Sequence, residues 1–423
     1  MTKTFKLALM SSVTAGLMFA GSAHATDGMF SNGYGNAAKG MAGAGTVLSQ
    51  DTQAAINNPA AMLGVGNRVD VGASIFSPRR SATVETSTGV PGGFFQQAGK
   101  FESGSEYFLI PSMGVNFDYG DYSLGITMTG QGGMNTDYKE CFFANSTCPD
   151  GTGIDLAQAL LGFTYARKMS DNVTIGITPQ LAGQRFEAKG LSGFGGVSQN
   201  SRRLTDNGYD YSWGYGASVG MLVKPSDKVS FGVTYKSRTY MTEFDQYAGL
   251  FAEAGDFDIP AALTIGTAYK YDDKLTLVAD LKRIFYSTVR SMSNTNNQNA
   301  QGGPARLGTK TGLGFGWQDM TVLKLGAQYA YDDALTFRGG FSWNTMAMED
   351  DENMFNILAP AVPQMHLSGG MTYKFGGGHE LGAALTHAFN NKTTNDNNVN
   401  HSTNSIDLQM NQWELDVGYT YHF

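Results

Sequence analysis

The stretch Trp413-Glu414-Leu415-Asp416-Val417-Gly418-Tyr419-Thr420-Tyr421-His422-Phe423 alternates strictly between large apolar residues and residues that are polar or tiny. Successive side chains of an extended strand point to opposite faces, so one face here is greasy and the other is not. The pattern recurs upstream. Val69, Val71, Ala73 and Ile75 alternate with Asp70, Gly72 and Ser74. Leu323, Leu325, Ala327, Tyr329 and Tyr331 alternate with Lys324, Gly326, Gln328 and Ala330. Fourteen such segments begin near Arg68, Glu106, Tyr122, Ala157, Asn172, Gly208, Lys228, Asp258, Lys274, Gln318, Ala334, Gln364, His379 and Met410.

The links between segments alternate in length. Tight ones fall at Asp118-Tyr119-Gly120-Asp121, Ser170-Asp171, Pro225-Ser226-Asp227, Asp272-Asp273, Asp332-Asp333 and Gly376-Gly377-Gly378. Long polar ones lie between them, as at 188–207, 291–317 and the Asn-rich 393–409. Short turns at one end and long loops at the other describe a bacterial outer-membrane barrel. Closure pairs every backbone group without water, which an open sheet in lipid cannot do. A secreted β-sandwich or solenoid would also alternate. The aromatics near strand ends, the alternating links and the terminal Phe423 favour the barrel. The predicted fold is all-β: a 14-stranded antiparallel transmembrane β-barrel over 68–423, placed in the cell outer membrane.

Composition fits this reading. The 423 residues include 55 glycines, and only 16% are charged against 41% hydrophobic, yet the mean hydropathy is −0.23. Opposed faces cancel in such an average, whereas a helical membrane protein would be far greasier and a disordered chain more charged. Residues 1–25 read as a secretory signal, with Lys3 and Lys6 ahead of an apolar run and an Ala23-His24-Ala25 cleavage site. Cleavage takes the formal charge from −8 to −10 and leaves no basic cluster, so nucleic acid is not an expected partner. Export makes a disulfide between Cys141 and Cys148 the expected state of the two cysteines.

Residues 26–67 break the alternation. They are either a periplasmic tail or a plug, and their low charge and small side chains favour a hatch inside the lumen. Asp51-Thr52 is expected to cap a short helix over Gln53–Asn57, ended by Pro59.

Several of these stretches carry a resemblance. Gly40-Met41-Ala42-Gly43-Ala44, Asp51 and Asn58-Pro59-Ala60 resemble the N-terminal region of the FadL/TodX family, outer-membrane transporters of long-chain fatty acids and hydrocarbons. Gly132 to Tyr138, Gln184 to Leu191, Gly316-Trp317-Gln318-Asp319 and Ile357 to Val362 also look like that family. The resemblance implies a 14-stranded barrel with a hatch, an apolar outer groove, and sideways exit through a gap at a kink in the third strand. Gly130, Gly132 and Gly133 are the gap candidates, with an ordinary Gly-rich strand end as the plainer reading.

Passive uptake of hydrophobic compounds, above all fatty acids, is the expected function, with neutral aromatic or aliphatic hydrocarbons as the alternative. A general porin or an adhesin ranks below both. A fatty acid needs one cation for its carboxylate. Arg185 and Lys189 lie where the resemblance implies a basic contact, and Lys282, Lys324 and Arg338 are on inward positions. The plainer reading pairs these cations with Asp280, Glu414, Asp416 or the hatch. Gly130 stands where the resemblance implies Ser and Gln318 where it implies Lys, which keeps neutral hydrocarbons open. Phe142, Phe143, Leu160, Leu161, Phe186 and Phe194 are candidates for the apolar groove or tail pocket. Gly216-Ala217-Ser218-Val219-Gly220 matches G-x-S-x-G but lies in a strand-like run, without the turn and helix a nucleophile elbow needs. No metal spacing or phosphate loop is present, so no enzyme and no cofactor is expected. The expected partners are the hydrophobic cargo, outer-membrane lipid and, through Phe423, the barrel-assembly machinery, with the chain a monomer.

Overall fold

The computed structural model describes residues 26–86, 95–298, 304–395 and 403–423, so the expected signal segment lies outside the described residues. Among the described residues sixteen strands form one antiparallel sheet, of which fourteen run around a barrel. These are β1 (Arg68–Thr86), β2 (Phe108–Asp118), β3 (Tyr122–Tyr138), β4 (Thr152–Ser170), β5 (Val173–Lys189), β6 (Asp210–Val223) and β7 (Val229–Lys236) in the first half. The second half comprises β8 (Ala262–Lys270), β9 (Leu275–Ile284), β10 (Met320–Ala330), β11 (Leu335–Asn344), β12 (Met365–Lys374), β13 (His379–Asn395) and β14 (Thr403–His422). Gly99–Glu102 and Tyr240–Met241 are short strands of the outer loops. β14 closes on β1 from Arg68↔His422 to Thr86↔Thr403, so neither terminal strand is left as an edge.

Outward positions carry the apolar residues. Leu109, Ile126, Ile175, Leu281, Leu325, Leu367, Leu385 and Leu415 are all exposed around the circumference. A contiguous exposed apolar surface of this kind belongs in lipid rather than water. Tyrosines band both rims, among them Tyr122, Tyr271, Tyr331 and Tyr421 at the short-turn end and Tyr107, Tyr211 and Tyr240 at the other.

The wall is uneven in height. β7 to β12 run 8 to 11 residues, close to what a tilted strand needs to cross a bilayer. β1 and β4 have 19 residues and β14 has 20, so this side continues beyond the bilayer. The expected starts at Ala157 and Met410 are therefore late: β4 begins at Thr152 and β14 at Thr403. In these extensions the outward residues, such as Asp407, Gln409 and Asn411, are polar, and the hydrophobic alternation that marks a lipid-facing strand stops.

Residues 26–67 pack against the inward side of the wall. Inward glycines sit where this segment touches the wall. A Cβ on Gly340 would overlap the Met41 backbone, and one on Gly176 would overlap the Pro59–Ala60 peptide. The expected helix is Ala54–Asn57, and its N-cap is Gln53 with no side-chain cap from Asp51 or Thr52. Pro59 does not end the path but opens a 3-10 turn over Pro59–Gly64, capped by Asn58, whose Oδ1 accepts the Ala60 N–H at 3.0 Å. Among the described residues no helix is long and apolar enough to cross a membrane, which leaves the crossing to strands.

Candidate functional site

The wall is interrupted between β2 and β3. Pairing of these strands runs from Asp118↔Ser123 only as far as Ser112↔Thr129. The next residue of β2 is Pro111, which has no N–H to give a ladder. From Gly130 to Tyr138, β3 pairs within the barrel only with β4, and its register slips between Gly130 and Gly132. Gln131 is thus the extra residue of a bulge. The bulge changes which parity faces inward, so Gly132, Met134, Thr136 and Tyr138 lie on the lumen side. Higher up, Gly104 and Ser103 meet Asp137 again at 2.7 and 3.0 Å, and Arg80 bonds the carbonyls of Asn135 and Ser105.

The N-terminal segment covers this interruption. Ser31 N–H donates to the Gln131 carbonyl at 3.2 Å and Gly133 N–H to the Met29 carbonyl at 3.1 Å. Phe30 bridges Gly132, where a Cβ would strike the Met29 carbonyl, so only glycine allows this approach. Tyr34 adds its hydroxyl to the Gln131 carbonyl at 3.1 Å. The start of the segment is fixed by charge. Asp27 accepts from Lys282 at 3.0 Å and Lys324 at 2.9 Å, while the Tyr286 hydroxyl donates to the Asp27 carbonyl at 2.7 Å. Burial pushes the Asp27 carboxyl up, but the two lysines outweigh it and hold the group below the usual carboxylate range.

Beside this contact lies a small cavity. It is lined by Phe30, Asn32 and Tyr34 of the N-terminal segment and by Lys236, Lys282, Lys324 and Asp280 of the wall. Lys236 and Lys282 approach the Phe30 ring at 5.8 and 5.1 Å. Asp280 is occupied with the backbone N–H groups of Gly45 and Thr46 at 2.8 and 3.0 Å. Lys236 Nζ donates to the side-chain Oε1 of Gln131, and among the described residues no carboxylate is within ion-pair distance of it.

The expected site residues separate into distinct places. Lys282 and Lys324 meet in this cavity. Arg338 is elsewhere, at the short-turn end, donating to Gln328 at 3.0 Å and Thr372 at 2.7 Å. There it lines a second cavity with Asp51, Arg68, Asp70 and Asp416. Arg185 and Lys189 are on the outward parity of β5, opposite to the buried Phe186. Arg185 meets Asp155 at 3.3 Å and the Tyr209 ring at 4.9 Å, and Lys189 meets Glu187 at 3.5 Å. Both cations lie near the outer end of β5, as expected, and their side chains take the face opposite to the lumen. Phe142, Phe143 and Phe194 pack into one aromatic cluster with centroids 4.7 and 4.9 Å apart along the series. Cys141 and Cys148 form a disulfide that closes the loop carrying this cluster. Phe186 joins a second cluster with Tyr247 and Phe251. Leu160 is buried on the lumen side, whereas Leu161 has the outward parity of Phe163 and Tyr165.

Gln131, Lys236, Phe30 and Asp27 were not among the expected site residues. Lys236 was within reach of the alternation, since Ser230, Gly232, Thr234 and Lys236 share one parity. Ser218 lies in the middle of β6, with no turn beside it. Among the described residues no group of acidic, His or Cys side chains could hold a metal ion.

Residues 16–423 match the family described as outer membrane protein transport protein (OMPP1/FadL/TodX). Among solved structures, the chain is similar to the P. putida toluene transporter TodX, at 17% identity over 93% of this chain and 99% of that one, with a TM-score of 0.70. It is also similar to the Ralstonia pickettii toluene transporter TbuX, at 19% identity over 93% and 99%, with a TM-score of 0.64. A Pseudomonas aeruginosa FadL homologue aligns at 16% identity over 93% and 99%, with a TM-score of 0.69. No curated protein matches. A lipid-facing barrel with a filled lumen and a wall interruption, matched by one family almost end to end, places the chain in the OMPP1/FadL/TodX family of outer-membrane transport proteins.

Proposed function

We propose that the cargo of this outer-membrane transporter is a long-chain fatty acid, held by its carboxylate in the lumen beside Phe30 and released sideways through the interruption at Gly130–Gly133. The observation that carries this reading is the charge of the cavity. Three lysines and Asp280 line it, and Asp27 beside it pairs with Lys282 and Lys324, which leaves one cation in excess, at Lys236. A buried ammonium bonded to a neutral amide is poorly compensated, and a carboxylate replaces that amide with a stronger, charge-assisted bond. Each methylene of the tail that leaves water contributes roughly 0.8 kcal/mol. The aromatic clusters around Phe143 and Phe186 are packed shut, and parting of the outer loops that carry them offers apolar surface to the chain. Sideways exit delivers the cargo to lipid without returning it to water. The N-terminal segment is then a hatch: Met29 to Ser31 occupy the exit in the closed state.

Neutral hydrocarbons travelling the same route are the second reading. It is favoured by Lys282 and Lys324, which already share Asp27, and by the similarity to two toluene transporters. Equilibrium binding of oleate and toluene to purified barrel in detergent separates the two. Lys236→Met keeps side-chain length and removes the charge. Oleate should bind about tenfold more weakly to this variant, with toluene binding unchanged. An equal response of both ligands would transfer the assignment to neutral cargo.

A further inference from the structure

We propose that Gln131 is a positioning residue, the latch through which an anionic headgroup in the lumen opens the wall; this rests on the carboxylate reading above. Gln131 joins the wall interruption to the cavity. Its backbone carbonyl receives the Ser31 N–H at 3.2 Å and the Tyr34 hydroxyl at 3.1 Å, which are bonds that keep the hatch over the exit. Its side chain reaches the other way, into the cavity, where Oε1 accepts from Lys236. The residue is fully buried, and its Nε2 has no hydrogen-bond partner. An amide that leaves half its capacity unmet is held here by Lys236 rather than by its own surroundings.

The bulge explains why that hold matters. Neither neighbour, Gly130 nor Gly132, has a side chain to pin the backbone, and β2 offers no ladder above Thr129. The carbonyl that anchors the hatch is therefore aimed by the Gln131 side chain. A carboxylate that takes Lys236 removes that side chain's only described partner. The bulge is then free to rotate, and the Ser31 and Tyr34 bonds are lost together. A neutral cargo has no group with which to displace the amide, so it fills the same cavity without tripping the latch.

Hydrogen exchange of the peptide spanning 26–34 in detergent-solubilised barrel reads the latch directly. In the natural protein, oleate should speed exchange of this peptide about tenfold, and hexadecane should not. Gln131→Ala should exchange fast with no ligand present and gain nothing from oleate, although it still binds oleate. Gln131→Glu supplies a permanent carboxylate to Lys236 and should stay slow with and without oleate. A purely structural role would loosen both variants alike. Should the alanine variant not yield folded barrel, as judged by heat-modifiable gel migration, Gln131→Asn is one methylene too short to reach Lys236 and carries the same expectation. Slow, oleate-responsive exchange in Gln131→Ala or Gln131→Asn would overturn the latch. If oleate fails to bind the natural protein, the carboxylate reading falls, and the ligand-free contrast between Gln131→Ala and Gln131→Glu still decides whether Gln131 holds the hatch.

Discussion

The N-terminal segment is held at its two ends by different physics. Near its start the contacts are charged and polar: Asp27 with Lys282 and Lys324, and Ser31 and Tyr34 with the Gln131 carbonyl. Near its end they are steric. Asn58 occupies the space a Cβ would take on Gly220, the Pro59–Ala60 peptide fills that of Gly176, and Met62 fills that of Gly125. The Asn58 amide also donates to the carbonyls of Thr46 and Met221 at 2.9 and 3.3 Å. A ligand oxygen or a water can replace a polar partner, but nothing replaces backbone packed on backbone. On the proposed reading of this segment as a hatch, the start is the exchangeable end and the other the fixed one.

Removing Asp27 should have the largest effect. Asp27→Ala leaves two buried ammonium groups without their carboxylate, and breaking a buried pair in this way costs about 3–5 kcal/mol. Because the start of the segment can detach and admit water, the cost should be met by release of the hatch rather than by unfolding. Planar-bilayer conductance should rise while the barrel keeps its heat-modifiable migration. Conductance as low as that of the natural protein would break the comparison at this end.

Gly220→Val tests the other end and should come second. The added side chain collides with Asn58 and Pro59, and overpacking of this kind costs about 1–3 kcal/mol. No release is available here, so the loss should appear as a lower melting temperature and a lower yield of folded barrel, without a gain in conductance. If Gly220→Val instead opened the channel and left the melting temperature alone, the two ends would be equivalent.

The same contrast explains what the sequence discloses. At the steric end, Asn58-Pro59-Ala60 stands out through its resemblance to the family, and the inward glycines through the polar parity of their strands. The barrel itself was legible because lipid on one side and a filled lumen on the other impose period two on every crossing strand. The exchangeable end was hidden. Gly130-Gln131-Gly132-Gly133 has no hydrophobic alternation from which a bulge could be inferred, and the parity change that turns Gly132 and Met134 inward beside Gln131 exists only once β4 is paired beside it. Asp27 meets its lysines across more than 250 residues, a contact that no local pattern encodes. For Arg185 and Lys189 the sequence yields height but not face: their position near the end of β5 fixes height, whereas face depends on parity counted from Ile175 and Ile177.

A smaller, pH-dependent effect sharpens the comparison by setting Asp27 against Asp256 in the outer loop between β7 and β8. Asp27 is fully buried and Asp256 partly so, and their surroundings act in opposite directions. At Asp256, burial and the neighbouring Asp258 push the group up to about 7, against the pull of Arg238 at 3.3 Å. A carboxyl raised in the folded state favours the protonated form there, so its contribution to docking of the loop is fully present below the ordinary value of 3.8 and is lost as pH rises through about 7. Asp27, held below the usual range, contributes above that range and loses its hold only as pH falls through the depressed value. Raising the pH from about 5 to about 8 should therefore loosen the outer loop and leave the hatch start untouched. A nitroxide at the exposed Glu243→Cys should gain mobility across that interval, and Asp256→Asn should abolish the change. Exchange of the peptide spanning 26–34, corrected for the intrinsic pH dependence of amide exchange, should stay level. Mobility that falls with rising pH would mean that Arg238 rather than Asp258 controls the Asp256 carboxyl, and that charge pairing secures the outer loop as it secures the hatch start.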